Sequence, residues 1–413
     1  MSTSVLDLAA PLGPDLALLR RTLHRIPELG LHLPQTQRAV LEALDGLGLD
    51  ITLGEGLSSV VAVVRGHRPV DGPRPAVLLR GDMDALPVTE EGPADVVSRH
   101  VGAMHACGHD LHMAALVGAA RILHDLRDQL AGDVVLMFQP GEEGPGGAAP
   151  MIAEGLLTAS GNRVCAAYAL HVFSAEHPVG TWFGRPGPQM AAADEVVVRV
   201  VGRGGHGSAP HRTRDPIPVA CEMVVALNTI VTRSFDVFDP VVVTVGRIAG
   251  GSKENIIPDD VVFEATVRTL SAGSRREIQH RITRLCHGIA EAHGLTVEVG
   301  YRLGYPVTRN DPAEFDLARQ VVTDLFGVDR WAPMPNPELG SEDMSFVLDE
   351  VPGAYLNLSA CVGDPAEADD NHSARARFDD AVLADAAAFL AEVAMRRLSL
   401  ASGRATTPHG EST

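Results

Sequence analysis

One residue type is almost missing from this chain: Lys253 is the only lysine in 413 residues. It stands in the loop Gly250-Gly-Ser-Lys-Glu-Asn255. A phosphate-binding loop ending in Gly-Lys-Ser/Thr is therefore excluded, and a Schiff-base lysine would have to be this one. Positive charge is scarce in general. Asp and Glu outnumber Lys and Arg by 53 to 34, and the net charge of −19 leaves no basic face for a phosphate backbone, so no nucleic-acid partner is expected. The five cysteines are odd in number and widely scattered, which excludes a dense disulfide framework. No run reads as a membrane span, and Met1 to Pro11 has no basic flank before an apolar core, so neither a membrane partner nor a secretory leader is expected. A 45% hydrophobic content at this length then points to a soluble, two-domain enzyme of the cytoplasm.

What is present is ordered by hydrophobic period. Strand-like runs at Val60 to Arg65, Ala76 to Gly81, Val134 to Gln139 and Val164 to His171 alternate with helical stretches at Met113 to Leu126 and Ala148 to Leu157. This alternation predicts an α/β fold with a mostly parallel sheet. From about Asp194 the rhythm changes to strand Glu195 to Val201, helix Ile217 to Thr232, strands Val241 to Ile248 and Val261 to Leu270, helix Arg275 to His293 and strand Leu295 to Arg302. That β-α-β-β-α-β order is the ferredoxin-like unit. The expected organisation is a catalytic domain over 1–191 and 304–400, with a compact domain inserted over 192–303. A final helix, Asp380 to Leu398, precedes a Ser/Thr/Gly-rich tail at 401–413 expected to be disordered.

The densest chemistry lies in His105-Ala-Cys-Gly-His-Asp-Leu-His112, which gathers three imidazoles, a thiol and a carboxylate between a strand and a helix. Soft thiolate and imidazole donors so close together suggest a metal centre, and a helix N-terminus there would draw the thiol towards thiolate. Four other segments end predicted strands with ionisable groups. They are Arg80-Gly-Asp-Met-Asp84, Pro140-Gly-Glu-Glu-Gly144, the strand closing on His171, and Asp370-Asn-His-Ser373. Adjacent glutamates before a Gly-rich turn point in different directions, so one can bind metal while the other handles protons.

Together these segments carry a resemblance. Arg80-Gly-Asp-Met-Asp-Ala-Leu-Pro87, Met104-His-Ala-Cys-Gly-His-Asp110, Gln139-Pro-Gly-Glu-Glu-Gly-Pro-Gly-Gly-Ala148, Gly184-Arg-Pro-Gly-Pro-Gln-Met-Ala191, Gly202-Arg-Gly-Gly-His-Gly207, Asn255-Ile-Ile-Pro258 and Gly340-Ser-Glu-Asp343 resemble the amidohydrolase branch of the dinuclear metallopeptidases. That superfamily holds aminoacylases and carboxypeptidases, and the branch includes hippurate hydrolase and the indoleacetyl-amino-acid hydrolases. The resemblance implies a metal-dependent amidohydrolase that cleaves the amide of an N-acyl amino acid. It implies two divalent ions, manganese or zinc, bridged by the Cys107 thiolate and completed by His109, Glu143, His171 and His372. Glu142 would be the general base acting on water, and Asp84 would orient a ligand. His206 would reach across a homodimer to stabilise the oxyanion, and Asn255 and Gly340 would fall in regions contacting the small-molecule substrate. One departure concerns His372-Ser-Ala-Arg-Ala-Arg-Phe378, which lacks the proline and aromatic residue that follow the ligand histidine in the family, and this implies a wider or reshaped pocket.

Other readings compete. Cys107 activated by His109 would make a thiol amidase, and a cleft without turnover would make a protein that only binds acyl-amino acids. A dipeptidase or carboxypeptidase of the same fold is a further alternative. Gly202 to Gly207 also satisfies the Gly-x-Gly-x-x-Gly dinucleotide pattern, but two prolines before residue 217 delay the helix that such a fold opens at once. With 17 histidines in the chain most must be structural, and His24, His32, His211, His280 and His293 are assigned so; His105 and His112 are treated with the same suspicion, and Asp82 is left unassigned.

Overall fold

The computed structural model describes residues 4–92 and 97–403. The chain divides into two compact units, one of residues 1–187, 309–336 and 346–413, the other of residues 188–308 and 337–345.

The first unit is built on an eight-stranded mixed sheet. Its strand order is Asp50–Leu53, Val60–Val64, Asp133–Gln139, Ala76–Asp82, Ala166–Phe173, Gly353–Ser359, Trp182–Gly184 and Trp331–Pro333. The central strands run parallel, with Asp82 opposite Gln139 on one side and Arg80 opposite Ala169 on the other. Strand Gly353–Ser359 continues the parallel set beside Ala166–Phe173. These strands are buried on both faces, which is why they read as continuous Val/Leu/Ala runs rather than alternating ones. Parallel order puts the C-terminal ends of Asp133–Gln139, Ala76–Asp82 and Ala166–Phe173 at one edge, where an open α/β sheet carries its chemistry.

Helix His109–Asp125 is buried on nearly every face, packed among the sheet, helix Gly13–His24 and helix Leu383–Gly403. Gly118 permits the close crossing, since a Cβ there would stand 2.7 Å from that of Ala387 and 2.8 Å from a Leu16 methyl.

The second unit has the expected β-α-β-β-α-β order. Its strands lie in the spatial order Val241–Gly250, Asp260–Thr269, Ala192–Val201, Thr296–Leu303, all neighbours antiparallel. Val196, Val198 and Val200 point into a core with Val219, Met223, Leu227, Ile278 and Ile282 from helices Pro216–Ser234 and Ala272–Ala292, while the alternate residues of the strand face out.

Several expected boundaries move. The helix placed from Met113 begins at His109, and the strand expected to end on His171 continues to Phe173. The helix expected over Ala148 to Leu157 stops at Ala153, and Gly155, with φ +95°, separates it from a short 3-10 turn over Leu156–Thr158. The disordered tail expected from residue 401 is overtaken by the last helix as far as Gly403, and its remainder, 404–413, lies outside the described residues. No membrane span was expected, yet Pro216–Ser234 is long and apolar enough to cross one. In the second unit it packs through Val219, Ala220, Met223 and Leu227 onto a sheet.

Candidate metal centre

Strand Ala76–Asp82 delivers Asp82 and Asp84 to the active edge, and strand Asp133–Gln139 delivers Glu142 and Glu143 beside them. Cys107 and His109 arrive from the turn that opens the buried helix. Between them Gly108 takes φ +79°, and a Cβ there would lie 2.3 Å from Val172 Cγ2. Only glycine lets the chain turn so tightly against the strand that carries His171. His372 enters from the loop before the last helix with φ +72°, a left-handed backbone that a histidine adopts at a cost. Its N–H donates to Ala106 O at 2.8 Å. Next to it, Asn371 Nδ2 donates to Val172 O at 3.0 Å, and Asn371 Oδ1 accepts from Ser174 N at 2.9 Å. The side-chain amide thus takes the part of a missing strand neighbour.

The structure brings the five candidate ligands together. Cys107 Sγ lies 3.3 Å from His171 Nε2 and 3.3 Å from His372 Nε2. Glu143 Oε1 is 3.5 Å from His372 Nε2 and 3.8 Å from His109 Nε2. Two trios result, Cys107–His109–His171 and Cys107–Glu143–His372, each with its donor atoms within 4.8 Å of one another. The thiol belongs to both trios. His109 Nδ1 donates to the carbonyl of Asp84 at 2.9 Å, which leaves Nε2 as the ring nitrogen facing the centre.

Two buried polar atoms facing this centre, His109 Nε2 and Glu143 Oε1, have no hydrogen-bond partner among the described residues. Leaving such atoms unsatisfied costs about 1–3 kcal/mol each, so a pair of them with soft and imidazole donors fits bound divalent cations. Charge agrees with that fit. Burial alone would lower His109, but the Asp82 carboxylate and the Asp84 and Cys107 contacts hold it well above its ordinary value. The pocket thus favours positive charge. Burial pushes Glu143 up against the opposing pull of His109 and His372, and burial with neighbouring His112 holds His171 well down.

The thiol corrects an expectation. Helix proximity was expected to favour thiolate, but burial pushes the Cys107 thiol far up, with His109 only partly opposing it. A neutral thiol is a poor nucleophile, whereas a coordinating cation removes the proton outright.

The Asp84 carboxylate reaches the paired glutamates. Its Oδ1 accepts the backbone N–H of Glu142 at 2.9 Å and its Oδ2 that of Glu143 at 3.0 Å, so the carboxylate fixes the paired-glutamate turn. Glu142 is buried, with a carboxylate oxygen within 4.8 Å of donor atoms on His109 and Glu143.

The remaining candidates lie in the second unit. His206 is exposed and pairs in a short ladder with Ile256, beside Asn255, whose carbonyl accepts from Gly207 N at 2.8 Å. Ser208 N donates to His206 Nδ1 at 3.1 Å, which leaves the ring proton on Nε2 as an outward donor. Gly340 is exposed and its carbonyl accepts from Ala191 N at 2.9 Å. The Gly202 to Gly207 segment opens no helix; a short 3-10 turn, Pro210–Arg212, intervenes before Pro216.

Three histidines set aside as structural need separate accounts. The His105 ring is buried with no hydrogen-bonding partner among the described residues, and burial pushes it down to about 4. His112 and Asp82, 2.6 Å apart, form a buried pair beside His109. His24 lies between Asp110 Oδ2, at 2.8 Å, and Glu90 Oε1, at 3.0 Å. Spacing alone gave no sign of His24, since its partners are 86 and 66 residues away. His112 had a usable signal, three residues after His109 and so on the same helix face.

Comparison with known proteins agrees with this geometry. Residues 78–396 match the family described as Peptidase family M20/M25/M40. Thermostable carboxypeptidase 2 of Saccharolobus solfataricus is 37% identical over 369 residues, 88% of this chain and 91% of that protein. N-acetyl-L-cysteine deacetylase of Bacillus subtilis is 36% identical over 382 residues, 92% of this chain and 87% of that protein. The crystal structure of the Bacillus subtilis YXEP protein, described as a dinuclear metal binding peptidase of the M20 family, superimposes with a TM-score of 0.80 at 27% identity, over 94% of this chain and 99% of that one. The chain belongs to Peptidase family M20/M25/M40 and is a metal-dependent amide hydrolase.

Proposed function

We propose that the chain hydrolyses the amide bond of N-acyl amino acids, releasing a carboxylic acid and a free amino acid, with Glu142 as general base. The observation that carries this reading is the Glu142–Glu143 turn, held through both backbone N–H groups by Asp84. It separates two carboxylates into two tasks: Glu143 faces His109 and His372 as a ligand, and Glu142 moves protons. Bound divalent cations, manganese or zinc, would be held by Cys107, His109, Glu143, His171 and His372 and would polarise the scissile carbonyl and acidify water. Glu142 takes a proton from the attacking water and delivers it to the departing amine nitrogen. His206 Nε2–H suits an oxyanion donor, supplied in this reading by the second chain of a homodimer; Asn255 and Gly340 contact substrate.

The dimer reading is supported by the long edge strand Val241–Gly250, largely exposed, and by Val225, 68% exposed on the apolar helix Pro216–Ser234. Light scattering at micromolar concentration tests it, with a monomer as the contrary result. A cytoplasmic location completes the proposal and rests on the sequence alone.

The deacetylase relative supports the N-acyl substrate, and the carboxypeptidase relative supports a second reading, hydrolysis of a C-terminal peptide bond. A panel of N-acetyl and N-benzoyl amino acids and short peptides, assayed with Mn²⁺ and with Zn²⁺, separates them. Faster turnover of the acyl amino acids supports the proposal; turnover of peptides alone replaces it. Glu142→Gln tests the base, with an expected loss of ~10²-fold or more in kcat and substrate binding retained. Unchanged turnover would remove Glu142 from the role.

A further inference from the structure

His112 is buried one helical turn after His109, and both its ring nitrogens are engaged. Nδ1 lies 2.6 Å from Asp82 Oδ1, and Nε2 lies 2.9 Å from the backbone nitrogen of Val172. A backbone N–H only donates, so Nε2 carries the lone pair and Nδ1 the proton, which it gives to Asp82. The ring has no nitrogen to spare for a cation, although it lies with Asp82 and His109 in a group of metal-ligating type.

Both contacts fall where the sheet stops supporting the site. Pairing between strands Ala76–Asp82 and Ala166–Phe173 ends at Arg80 opposite Ala169. Beyond it His171 and Val172 have a strand neighbour on one side only, at Asn357 and Leu358. His112 supplies the acceptor that the ladder no longer offers to Val172. At its other end Asp82 is fixed by Arg80, whose Nη1 lies 2.6 Å from Asp82 Oδ2 and whose Nε donates to Gln139 at 3.0 Å. The same Asp82 oxygen lies 3.5 Å from His109 Nε2. The His112 ring itself packs against both ligand rings, with centroids 5.4 Å from His109 and 5.0 Å from His171.

We infer that His112 is a positioning residue of the metal centre: by joining Asp82 to the Val172 backbone it fixes the spacing of His109 and His171 about Cys107, and thereby sets metal affinity. The inference rests on the metal reading of those ligands. Partners that orient ligands in this way are typically worth 10–100-fold in metal affinity.

The test is cobalt binding by metal-stripped protein, read as the thiolate-to-cobalt absorption of Cys107 and as affinity in competition with a chelator. The variants are His112→Gln, whose amide oxygen keeps the Val172 bond but not the Asp82 bond, and His112→Asn, which does the reverse. Asp133→Asn is the control: this buried carboxylate, at the opposite end of its strand from Glu142, bonds Arg65, Arg74 and the Gly66 N–H. Each His112 variant is expected to bind cobalt about 10–100-fold more weakly, with a reduced thiolate band, while its metal-free melting temperature falls no further than that of the control. Wild-type affinity in both variants overturns the inference, as does metal-free protein that unfolds in both, since the residue then serves the fold. Failure of the wild type itself to take up cobalt instead overturns the metal reading on which the inference stands.

Discussion

Asp84 accepts the backbone N–H of Glu142 at 2.9 Å, and the same carboxylate accepts that of Glu143 at 3.0 Å. A residue 58 positions upstream therefore determines where the paired glutamates stand. In Asp84→Asn one acceptor oxygen becomes a donor facing an N–H. Turnover is expected to fall about 10–100-fold with a smaller change in melting temperature. Steady-state kinetics beside a thermal melt checks this, and unchanged turnover would detach the turn from Asp84.

Gly108 stands between two candidate ligands with a backbone that disfavours any Cβ. Gly108→Ala would place a methyl 2.3 Å from Val172 and 3.1 Å from the Phe378 ring. Backbone strain and overpacking each cost about 1–3 kcal/mol, so the melting temperature should drop and bound metal with it. Metal analysis of the folded fraction decides whether the ligands were displaced.

His24 makes stability depend on pH. Burial alone would push its ring down, but the Asp110 charge and hydrogen bonds to Asp110 and Glu90 raise it to about 9 from an ordinary 6.5. A group raised on folding stabilises fully below its unfolded pKa, and that contribution is lost as pH rises through the folded value. Stability should therefore decline between about pH 6.5 and pH 9, by at most roughly 3 kcal/mol. His24→Gln should be less stable at neutral pH and flatten that slope. Denaturant unfolding at several pH values checks it, and an equal slope in both proteins would contradict the assignment.

The parts of the fold legible in the sequence were those written in local pattern. Runs such as Val134 to Gln139 read as strands buried on both faces, and the β-α-β-β-α-β order was countable in the sequence. Element ends were less legible. His109 opens its helix without a side-chain cap, because Gly108 supplies the turn by backbone conformation instead. In the site, the Cys107 and Glu142 segments announced themselves by composition. The supporting roles of two neighbours were less legible: Asn371 replaces a strand neighbour and His112 continues a ladder, and although His112 could be placed on the face of His109, both roles exist only after distant segments have met. The thiol misled for a related reason, since helix proximity is readable in a sequence and the burial that outweighs it is not.

Cys107, His109, Glu143, His171 and His372 are proposed to hold the divalent cations without which this chain does not cleave amides. The most direct test measures bound metal and hydrolysis of an N-acetyl amino acid by the same preparation before chelation, after it, and after Mn²⁺ or Zn²⁺ is returned. The expected result is about two equivalents bound per chain, activity lost with the metal, and activity regained on its return. Full turnover by protein shown to be free of metal would contradict it.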